Sequence, residues 1–438
     1  MKTLNQYIKP KTLRRNDKGN LEIGGCDLVT LAKEHKTPLY VIDEDGLRSI
    51  LRQYKRAFET FSGIKFLYAS KACINLGLAS VIASEGFGFD VVSGGEIYTV
   101  YKAGVDMSTV LFNGNNKSEE ELMLALDFGV GRFSVDNFLE LELLNKLACD
   151  KKVDILLRIT PGIECHTHDY IKTGQLDSKF GFDMSQIDES VSLIQNKYKN
   201  LNLVGLHTHV GSQIFELKVF EDEIDILAKE VKRLKLEYNV DISELNIGGG
   251  IGVKYIEEDT PVSIDEIAHT ILSQIKNHGL ENLTFYMEPG RSIISPCGVT
   301  LYTVGSSKTV SFNSHKYVSV DGGMADNPRP SLYGAKYSAE VATNKSSARV
   351  ERVTIAGKYC ESGDILIDDI ELPELFAGDI LCVYNTGAYN YSMASNYNRH
   401  RKAKMILVNN SQSDIIVERE SYDDIIALDR IPERGAVC

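Results

Sequence analysis

The sequence lacks any apolar run long enough to cross a membrane, and no repeat or low-complexity linker interrupts its 438 residues. Positive charge is also scarce, since 48 Lys and Arg stand against 61 Asp and Glu, for a formal net charge of −13. Binding to nucleic acid or to an anionic membrane needs clustered positive charge. We therefore expect no nucleic-acid or membrane partner, and an acidic surface that keeps the protein in solution.

Paired metal-ligating cysteines are missing as well. The eight cysteines are scattered and none forms a Cys-x-x-Cys pair, so the spacing indicates neither a zinc site nor a disulfide framework. The segment Met1–Leu21 is polar and lacks the apolar core of a secretory signal. These absences predict a cytoplasmic protein with reduced thiols and no metal.

Apolar, β-rich runs alternate with amphipathic segments through most of the chain, which is too long for one ordinary core. The strand candidates are Lys65–Ser70, Gly88–Ser93, Thr109–Asn113, Arg132–Asp136, Val153–Thr160, Leu203–Val210, Leu245–Gly248 and Thr284–Glu288. Helical patterns such as Glu119–Asp127 and Phe220–Tyr238 lie between them. Eight strands that alternate with helices predict an α/β fold, a closed, TIM-like (β/α)8 barrel.

The pattern changes after about Ser292, where helical periodicity becomes weak. Further strand candidates are Val299–Val304, Tyr317–Val320, Arg349–Ala356, Ile380–Val383 and Ala403–Val408. They predict an antiparallel β-domain, which also takes in the N-terminal segment. The expected division is a cofactor-binding barrel over residues 36–291, which an extra strand at Leu39–Ile42 precedes, and a β-sandwich or β-barrel-like domain from 1–35 plus 292–438.

Unusual polar residues fall at the ends of the predicted barrel strands. Lys71 ends the first, His209 the sixth, the triplet Gly248–Gly250 the seventh and Glu288 the eighth. Singly, each has an ordinary explanation: a lysine reaching the rim, a core histidine, a tight turn. Together they lie where a barrel of this type carries its chemistry.

This combination indicates pyridoxal phosphate. Backbone N–H groups of a glycine triplet can hold a phosphate, and a lysine can form a Schiff base with a carbonyl cofactor. A carboxylate such as Glu288 would keep the pyridine nitrogen protonated, which makes the ring an electron sink, and His209 can stack on the ring.

At these residues the chain resembles the fold-type III pyridoxal-phosphate-dependent decarboxylases, from about Pro38 to Asn398. The superfamily segments are Ala69–Ala72, His209–Ser212, Gly248–Gly250 and Glu288–Arg291. Others resemble the diaminopimelate decarboxylases in particular: Thr173-Gly174, Asp177–Gly181, Asp326–Pro330, Leu332–Ala335, Cys360–Asp364 and Gly387–Tyr389. The resemblance implies a barrel followed by a β-domain, a homodimer with shared active sites, and decarboxylation of meso-2,6-diaminopimelate to L-lysine and carbon dioxide.

The resemblance also implies residue roles. Lys71 is expected to bind the cofactor covalently, and Cys360 to be the general acid, supplied with Glu361 across the dimer interface. An unperturbed cysteine thiol is largely protonated near neutral pH, which suits that role. The implied cofactor-binding residues are Lys71, Asp90, His209, Ser212, Gly250, Glu288, Gly290, Arg291 and Tyr389. The implied substrate-binding residues are Arg291, Arg329, Tyr333, Glu361 and Tyr389.

Three alternatives stay open. An ornithine or arginine decarboxylase would share the cofactor apparatus but would recognise a distal cation, with no need of Arg329. An alanine racemase would need a less protonated ring, which Glu288 disfavours. A non-catalytic protein that binds the cofactor would be expected to have lost Lys71 or Cys360, and both are present.

Overall fold

The computed structural model describes residues 2–162, 178–345, 349–432 and 434, and the chain divides into two compact units. One unit is Met1–Ile8 with Gly46–Pro296, and the other is Lys9–Asp45 with Cys297–Cys438. The strands are β1 Arg14–Arg15, β2 Leu21–Ile23, β3 Cys26–Asp27, β4 Leu39–Asp43, β5 Ile64–Ala69, β6 Gly88–Val91, β7 Val110–Phe112, β8 Arg132–Val135, β9 Val153–Thr160, β10 Phe182–Asp183, β11 Leu201–His207, β12 Glu244–Asn246, β13 Thr284–Met287, β14 Gly298–Thr309, β15 Lys316–Val320, β16 Ala339–Val341, β17 Val350–Ala356, β18 Ile365–Pro373, β19 Ile380–Val383, β20 Lys404–Asn409 and β21 Gln412–Val417. The helices are α1 Leu28–His35, α2 Glu44–Ala57, α3 Leu76–Ser84, α4 Gly94–Lys102, α5 Glu119–Phe128, α6 Phe138–Leu147, α7 Ile187–Asn196, α8 Leu217–Tyr238, α9 Ile264–His278, α10 Arg291–Ile294, α11 Arg329–Tyr333 and α12 Tyr422–Ile426.

The first unit is a closed parallel barrel. Its strands follow the order β5, β6, β7, β8, β9, β11, β12 and β13, and β13 pairs with β5 to close the ring. Several connecting helices begin at side-chain caps, as where Ser118 and Glu121 form a capping box at the start of α5. The predicted barrel and all eight of its strands are confirmed.

Apolar side chains fill the interior of the barrel below its rim. Leu67, Leu111, Leu156 and Tyr286 pack in one buried cluster, although several of their strands are not neighbours. Such residues can meet only inside the closed sheet, so the barrel is a packed core there. Polar side chains that can take part in chemistry therefore lie at the carboxyl ends of the strands.

The second unit is built around a mostly antiparallel sheet, with strand order β18-β17-β15-β14-β4-β20-β21, and β19 pairs with β14 and β16. Two pairings are parallel, β15 with β17 and β4 with β20. The predicted second sheet is confirmed, and β1, β2 and β3 form a small separate sheet in the same unit.

Two segments near the N-terminus do not group as the predicted ranges have them. The segment Met1–Ile8 groups with the barrel, and the segment up to Asp45, which includes β4, groups with the second unit. Strand β4 pairs with β14 and β20, and all five of its residues are buried. An apolar run of this kind looks the same in either sheet, so its sequence could not identify its neighbours. The first eight residues group with the barrel, where the Asn5 side chain donates to the Gly252 and Val262 carbonyls. Among the described residues, no helix has the length and apolarity that crossing a membrane requires.

Candidate active site

The predicted lysine and its neighbouring carboxylate lie at the rim of the barrel. Lys71 follows β5 on a single turn of 3-10 helix, Ser70–Ala72, and its side chain is 36% exposed. Its Nζ lies 4.0 Å from Oδ2 of Asp90, which is fully buried inside β6. Neither Asp90 oxygen has a hydrogen-bond partner among the described residues. A reachable amine thus faces a buried carboxyl group.

Glu288 follows β13 directly, and its charge acts on Asp90. Burial, reinforced by the charge of Glu288, raises the pKa of Asp90. Burial would also raise the pKa of Glu288, but His207 and Lys71 outweigh it and hold that pKa below its ordinary value. Of the two carboxyl groups, Glu288 is therefore the one that is ionised.

Residues that the sequence did not single out hold Glu288 in place. Asn246 Nδ2 donates to Glu288 Oε1 at 2.7 Å. His207 Nε2 lies 3.5 Å from Oε2, and Nδ1 of the same ring lies 2.6 Å from Ser134 Oγ. All four side chains are buried. Polar residues within apolar strands were the available signal, but their spacing does not identify their partners.

A second unpredicted residue is Arg158, buried in the middle of β9. Its Nη1 donates to Asn113 Oδ1 at 3.1 Å and lies 3.8 Å from Asp136, while the guanidinium covers the ring of Phe180. Burial lowers the pKa of Arg158, opposed by Asp136, Glu288 and Asp90. Its charge offsets part of the negative charge at this rim. Of the motif that contains Phe180, Asp177 lies outside the described residues, as do Thr173 and Gly174.

The glycine triplet after β12 forms a tight backbone cradle. A Cβ atom on Gly249 would lie 2.1 Å from the Glu288 carbonyl oxygen, and one on Gly250, where φ is +87°, would lie 2.3 Å from the Gly211 oxygen. Only glycine fits these two positions. The Gly249 N–H donates to His209 Nδ1 at 3.2 Å. Burial, assisted by the charge of Lys71, lowers the pKa of His209 well below its ordinary value, so this ring is neutral.

Arg291 and Ser212 lie beside this cradle. Arg291 begins α10, with Gly290 as the preceding cap residue. Its Nη2 donates to Ser212 Oγ at 2.9 Å, and its Nη1 donates to Tyr255 Oη at 3.0 Å. These contacts fix a buried cation beside the cradle, where it would attract an anionic ligand group.

These residues fit pyridoxal phosphate. Lys71 offers an amine for the aldehyde, and the glycine cradle with Ser212 and Arg291 suits the phosphate. Glu288 Oε2 is buried with no hydrogen-bond partner among the described residues, although the carboxyl group is ionised. A carboxylate oxygen accepts more than one hydrogen bond, so a protonated ring nitrogen would find an acceptor there beside the facing His207.

In the second unit, three of the predicted residues come together. The Arg329 guanidinium lies 5.4 Å from the centre of the Tyr333 ring and 5.5 Å from that of Tyr389. Arg329 is 8% exposed and begins α11. Two aromatic faces restrict the guanidinium to a narrow range of orientations, which favours recognition of a planar carboxylate.

Cys360 and Glu361 lie in an exposed turn that precedes β18. The Cys360 N–H donates to Asn398 Oδ1 at 2.8 Å. Buried Asp364 accepts from the Tyr359 N–H at 2.8 Å and the Met324 N–H at 2.6 Å. The turn is therefore fixed to the segment that leads to Arg329, while the side chains of Cys360 and Glu361 stay exposed.

Comparisons with known proteins show the family of this chain. The profile of the family described as "Pyridoxal-dependent decarboxylase, pyridoxal binding domain" matches residues 47–295. The diaminopimelate decarboxylase of Synechocystis sp. is 45% identical, over 98% of this chain and 94% of the relative, and that of Bacillus subtilis is 45% identical, over 95% and 97%. The crystal structure of diaminopimelate decarboxylase from M. jannaschii with L-lysine superposes with a TM-score of 0.91 at 32% identity, over 98% of this chain and 100% of that one. On the strength of these matches along nearly its whole length, the chain belongs to the diaminopimelate decarboxylase family of pyridoxal-dependent decarboxylases.

Proposed function

We propose that this protein decarboxylates meso-2,6-diaminopimelate to L-lysine and carbon dioxide with pyridoxal phosphate, the reaction that completes lysine biosynthesis. The observation that carries the proposal is Glu288, a carboxyl group buried at the same rim as Lys71, whose pKa His207 and Lys71 hold below its ordinary value. The relatives named above, similar over nearly their full length, support this substrate.

Each barrel residue then has a role in holding the cofactor. Lys71 binds it covalently, with Asp90 beside the lysine. Ser212, Gly250, Gly290 and Arg291 contact the phosphate, and His209 packs on the ring. When bound, pyridoxal phosphate supplies an electron sink for the electron pair left when carbon dioxide departs. Glu288 keeps the proton of the ring nitrogen in place, and Cys360 donates the proton that replaces the lost carboxylate.

The proposed substrate-binding residues are Arg291, Arg329, Tyr333, Glu361 and Tyr389. Arg329 and Arg291 bind carboxylate, Glu361 binds the distal ammonium, and Tyr333 and Tyr389 orient Arg329, with Tyr389 also contacting the cofactor. The two rings beside Arg329 support this assignment. An ornithine or arginine substrate has no distal carboxylate to match.

The proposed assembly is a cytoplasmic homodimer in which Cys360 and Glu361 complete the partner's site. Both residues are exposed on the single chain, as a partner-facing pair would be. The six cysteines within the described residues are all free thiols, which suits a reducing compartment.

One assay tests the proposal. The purified protein, loaded with pyridoxal phosphate, is offered meso-diaminopimelate, ornithine, arginine and lysine separately, and carbon dioxide and the product are measured. Lysine formed from meso-diaminopimelate alone is the expected result. Turnover of ornithine or arginine instead would overturn the substrate assignment.

Two variants test the catalytic residues in the same assay. Lys71→Ala should abolish activity and the absorption band of the lysine-bound cofactor. Cys360→Ala should lose most turnover but keep the band. Cys149→Ala, which removes another exposed thiol, is the matched control and should behave as wild type. Full activity of Cys360→Ala would refute the role of general acid.

A further inference from the structure

We infer that His207 is a positioning residue for the proposed decarboxylation, which donates from Nε2 to Glu288 and is oriented by Ser134. The inference rests on the proposed function, because it assigns Glu288 to the cofactor. His207 would lie behind the residues that contact the cofactor and would act through Glu288. It also explains a histidine that the proposed mechanism leaves without a role.

The three side chains come from three different strands of the barrel. Ser134 lies in β8, His207 is the last residue of β11, and Glu288 follows β13. Ser134 and His207 are 0% exposed, and Glu288 is 3% exposed. The connection Ser134–His207–Glu288 therefore crosses the interior of the barrel, and solvent cannot substitute for any of its members.

Each Glu288 oxygen faces a different group. Oε1 accepts from Asn246 Nδ2 at 2.7 Å, whereas Oε2 lies 3.5 Å from His207 Nε2. Neither Oε2 nor Nε2 has a hydrogen-bond partner within the described part of the chain. A buried imidazole nitrogen and a buried carboxylate oxygen, both without other partners, thus face each other. Leaving either unpaired would be costly.

The chemistry of the three groups selects one tautomer. If Ser134 accepted from Nδ1–H, the lone pair of Nε2 would point at the lone pairs of Oε2. If Ser134 Oγ–H instead donates to Nδ1, Nε2 carries the hydrogen and points it at the carboxylate. Only the second arrangement is attractive at both contacts. Because an ionised Glu288 can only accept, it places the hydrogen on Nε2, and the Ser134 hydroxyl donates to Nδ1 and holds the ring in that orientation.

A hydrogen aimed at Glu288 favours its charged form. Other groups act on the same carboxylate, and each would remain in a variant of His207. They are the cations Lys71 and Arg158, the neutral ring of His209, and the acids Asp90 and Glu223. The cations also favour ionised Glu288, while a charged Asp90 or Glu223 would oppose it. Loss of His207 should therefore weaken the preference without reversing it.

The test compares variants of the two residues in the loaded enzyme. His207→Leu removes both contacts, whereas His207→Gln can still accept from Ser134 with its carbonyl and donate to Glu288 with its amide. Ser134→Ala removes the hydroxyl that pairs with Nδ1 and orients the ring, and Ser134→Thr keeps the hydroxyl. Ser190→Ala is the control, since Ser190 is another fully buried serine, in α7, whose Oγ bonds the Gln186 carbonyl.

Two readouts are followed against pH: the absorption spectrum of the bound cofactor, and kcat and KM for meso-diaminopimelate. His207→Leu and Ser134→Ala should move the spectral transition and the acid limb of activity to higher pH, because Glu288 takes up a proton more easily. We expect kcat to fall about tenfold or more with little change in KM. His207→Gln, Ser134→Thr and Ser190→Ala should stay close to wild type.

Wild-type spectra and pH profiles in folded His207→Leu and Ser134→Ala would overturn the inference. So would a His207→Gln variant that melts like wild type yet loses as much as His207→Leu. If His207→Leu does not fold, Ser134→Ala decides, because it removes a single hydroxyl. Wild-type protein without decarboxylase activity would refute the proposed function, whereas the spectral shift would still decide the role of His207.

Discussion

At the scale of single residues, the barrel separates the protonation states of neighbouring carboxyl groups. Asp90 and Glu288 are both buried, yet their pKa values move in opposite directions. Asp90 lacks hydrogen-bond donors among the described residues, whereas Glu288 has Asn246 and faces His207. His207 and Lys71 lower the pKa of Glu288, whereas burial and the charge of Glu288 raise that of Asp90, so the anion lies where the proposed cofactor needs one.

The burial of Glu223 predicts that the stability of the fold depends on pH. It is 1% exposed, accepts from Thr208 Oγ1 at 2.6 Å, and burial raises its pKa from 4.5 to about 8. As pH rises from 4.5 to 8, the unfolded chain loses this proton while the folded chain keeps it, so the folded state is progressively destabilised. Glutamine avoids this loss. Glu223→Gln should match wild type near pH 4.5 and be more stable at pH 8, by on the order of a few kcal/mol.

Melting temperatures measured across this pH range check the prediction. Glu221→Gln, on the same helix but with its side chain 37% exposed, is the control and should show no such divergence. A difference between Glu223→Gln and wild type that stays constant with pH would contradict the assignment.

The proposed role of Arg329 predicts how a conservative substitution changes substrate binding. Lysine keeps the charge but loses both the planar fork and the packing against Tyr333 and Tyr389. Arg329→Lys should raise KM for meso-diaminopimelate about tenfold or more, with the cofactor band intact. Steady-state kinetics measure this, and Arg352→Lys, an arginine 65% exposed, is the control. An unchanged KM would remove Arg329 from substrate recognition.

The sequence predicted one class of site residue and missed another. Lys71, His209 and Glu288 were found because they interrupt apolar runs where barrel strands end. His207 and Arg158 lie inside strands, and their roles depend on neighbours from strands distant in sequence. The local sequence pattern does not identify those neighbours. The positions of His207 and Arg158 beside the site residues were therefore known only from the three-dimensional structure.

At the scale of elements, the predicted barrel strands were correct to within a few residues because each is a short apolar run between helical segments. Among the strands that the sequence did not predict, β16, β18 and β21 are partly exposed, and their alternation is correspondingly weak. The N-terminal segment was harder still. Its attachment to the barrel depends on side-chain hydrogen bonds of Asn5 rather than on periodicity.

That attachment gives an element-scale prediction. Asn5 is fully buried, and its Nδ2 donates to the carbonyls of Gly252 at 3.1 Å and Val262 at 2.9 Å, in the loop after the glycine cradle. Asn5→Ala would leave both acceptors unpaired, so the melting temperature should fall by about 2–4 °C or more. The exposed Asn196→Ala is the matched control, and equal melting of the two variants would show that the segment does not stabilise the loop.

At the scale of the whole molecule, the proposed shared site makes a prediction about mixtures. Dimers of Lys71→Ala and dimers of Cys360→Ala should each be nearly inactive, since each lacks one catalytic residue in both sites. After subunit exchange, a mixed dimer has one site with both residues changed and one with both intact. An equal mixture should therefore recover about one quarter of wild-type activity, because half of the dimers are mixed and half of their sites are whole.

Mixing Lys71→Ala with the double variant Lys71→Ala/Cys360→Ala is the control and should recover nothing. Exchange is verified by native mass spectrometry, and failure to recover activity after verified exchange would place Lys71 and Cys360 of one chain in the same site.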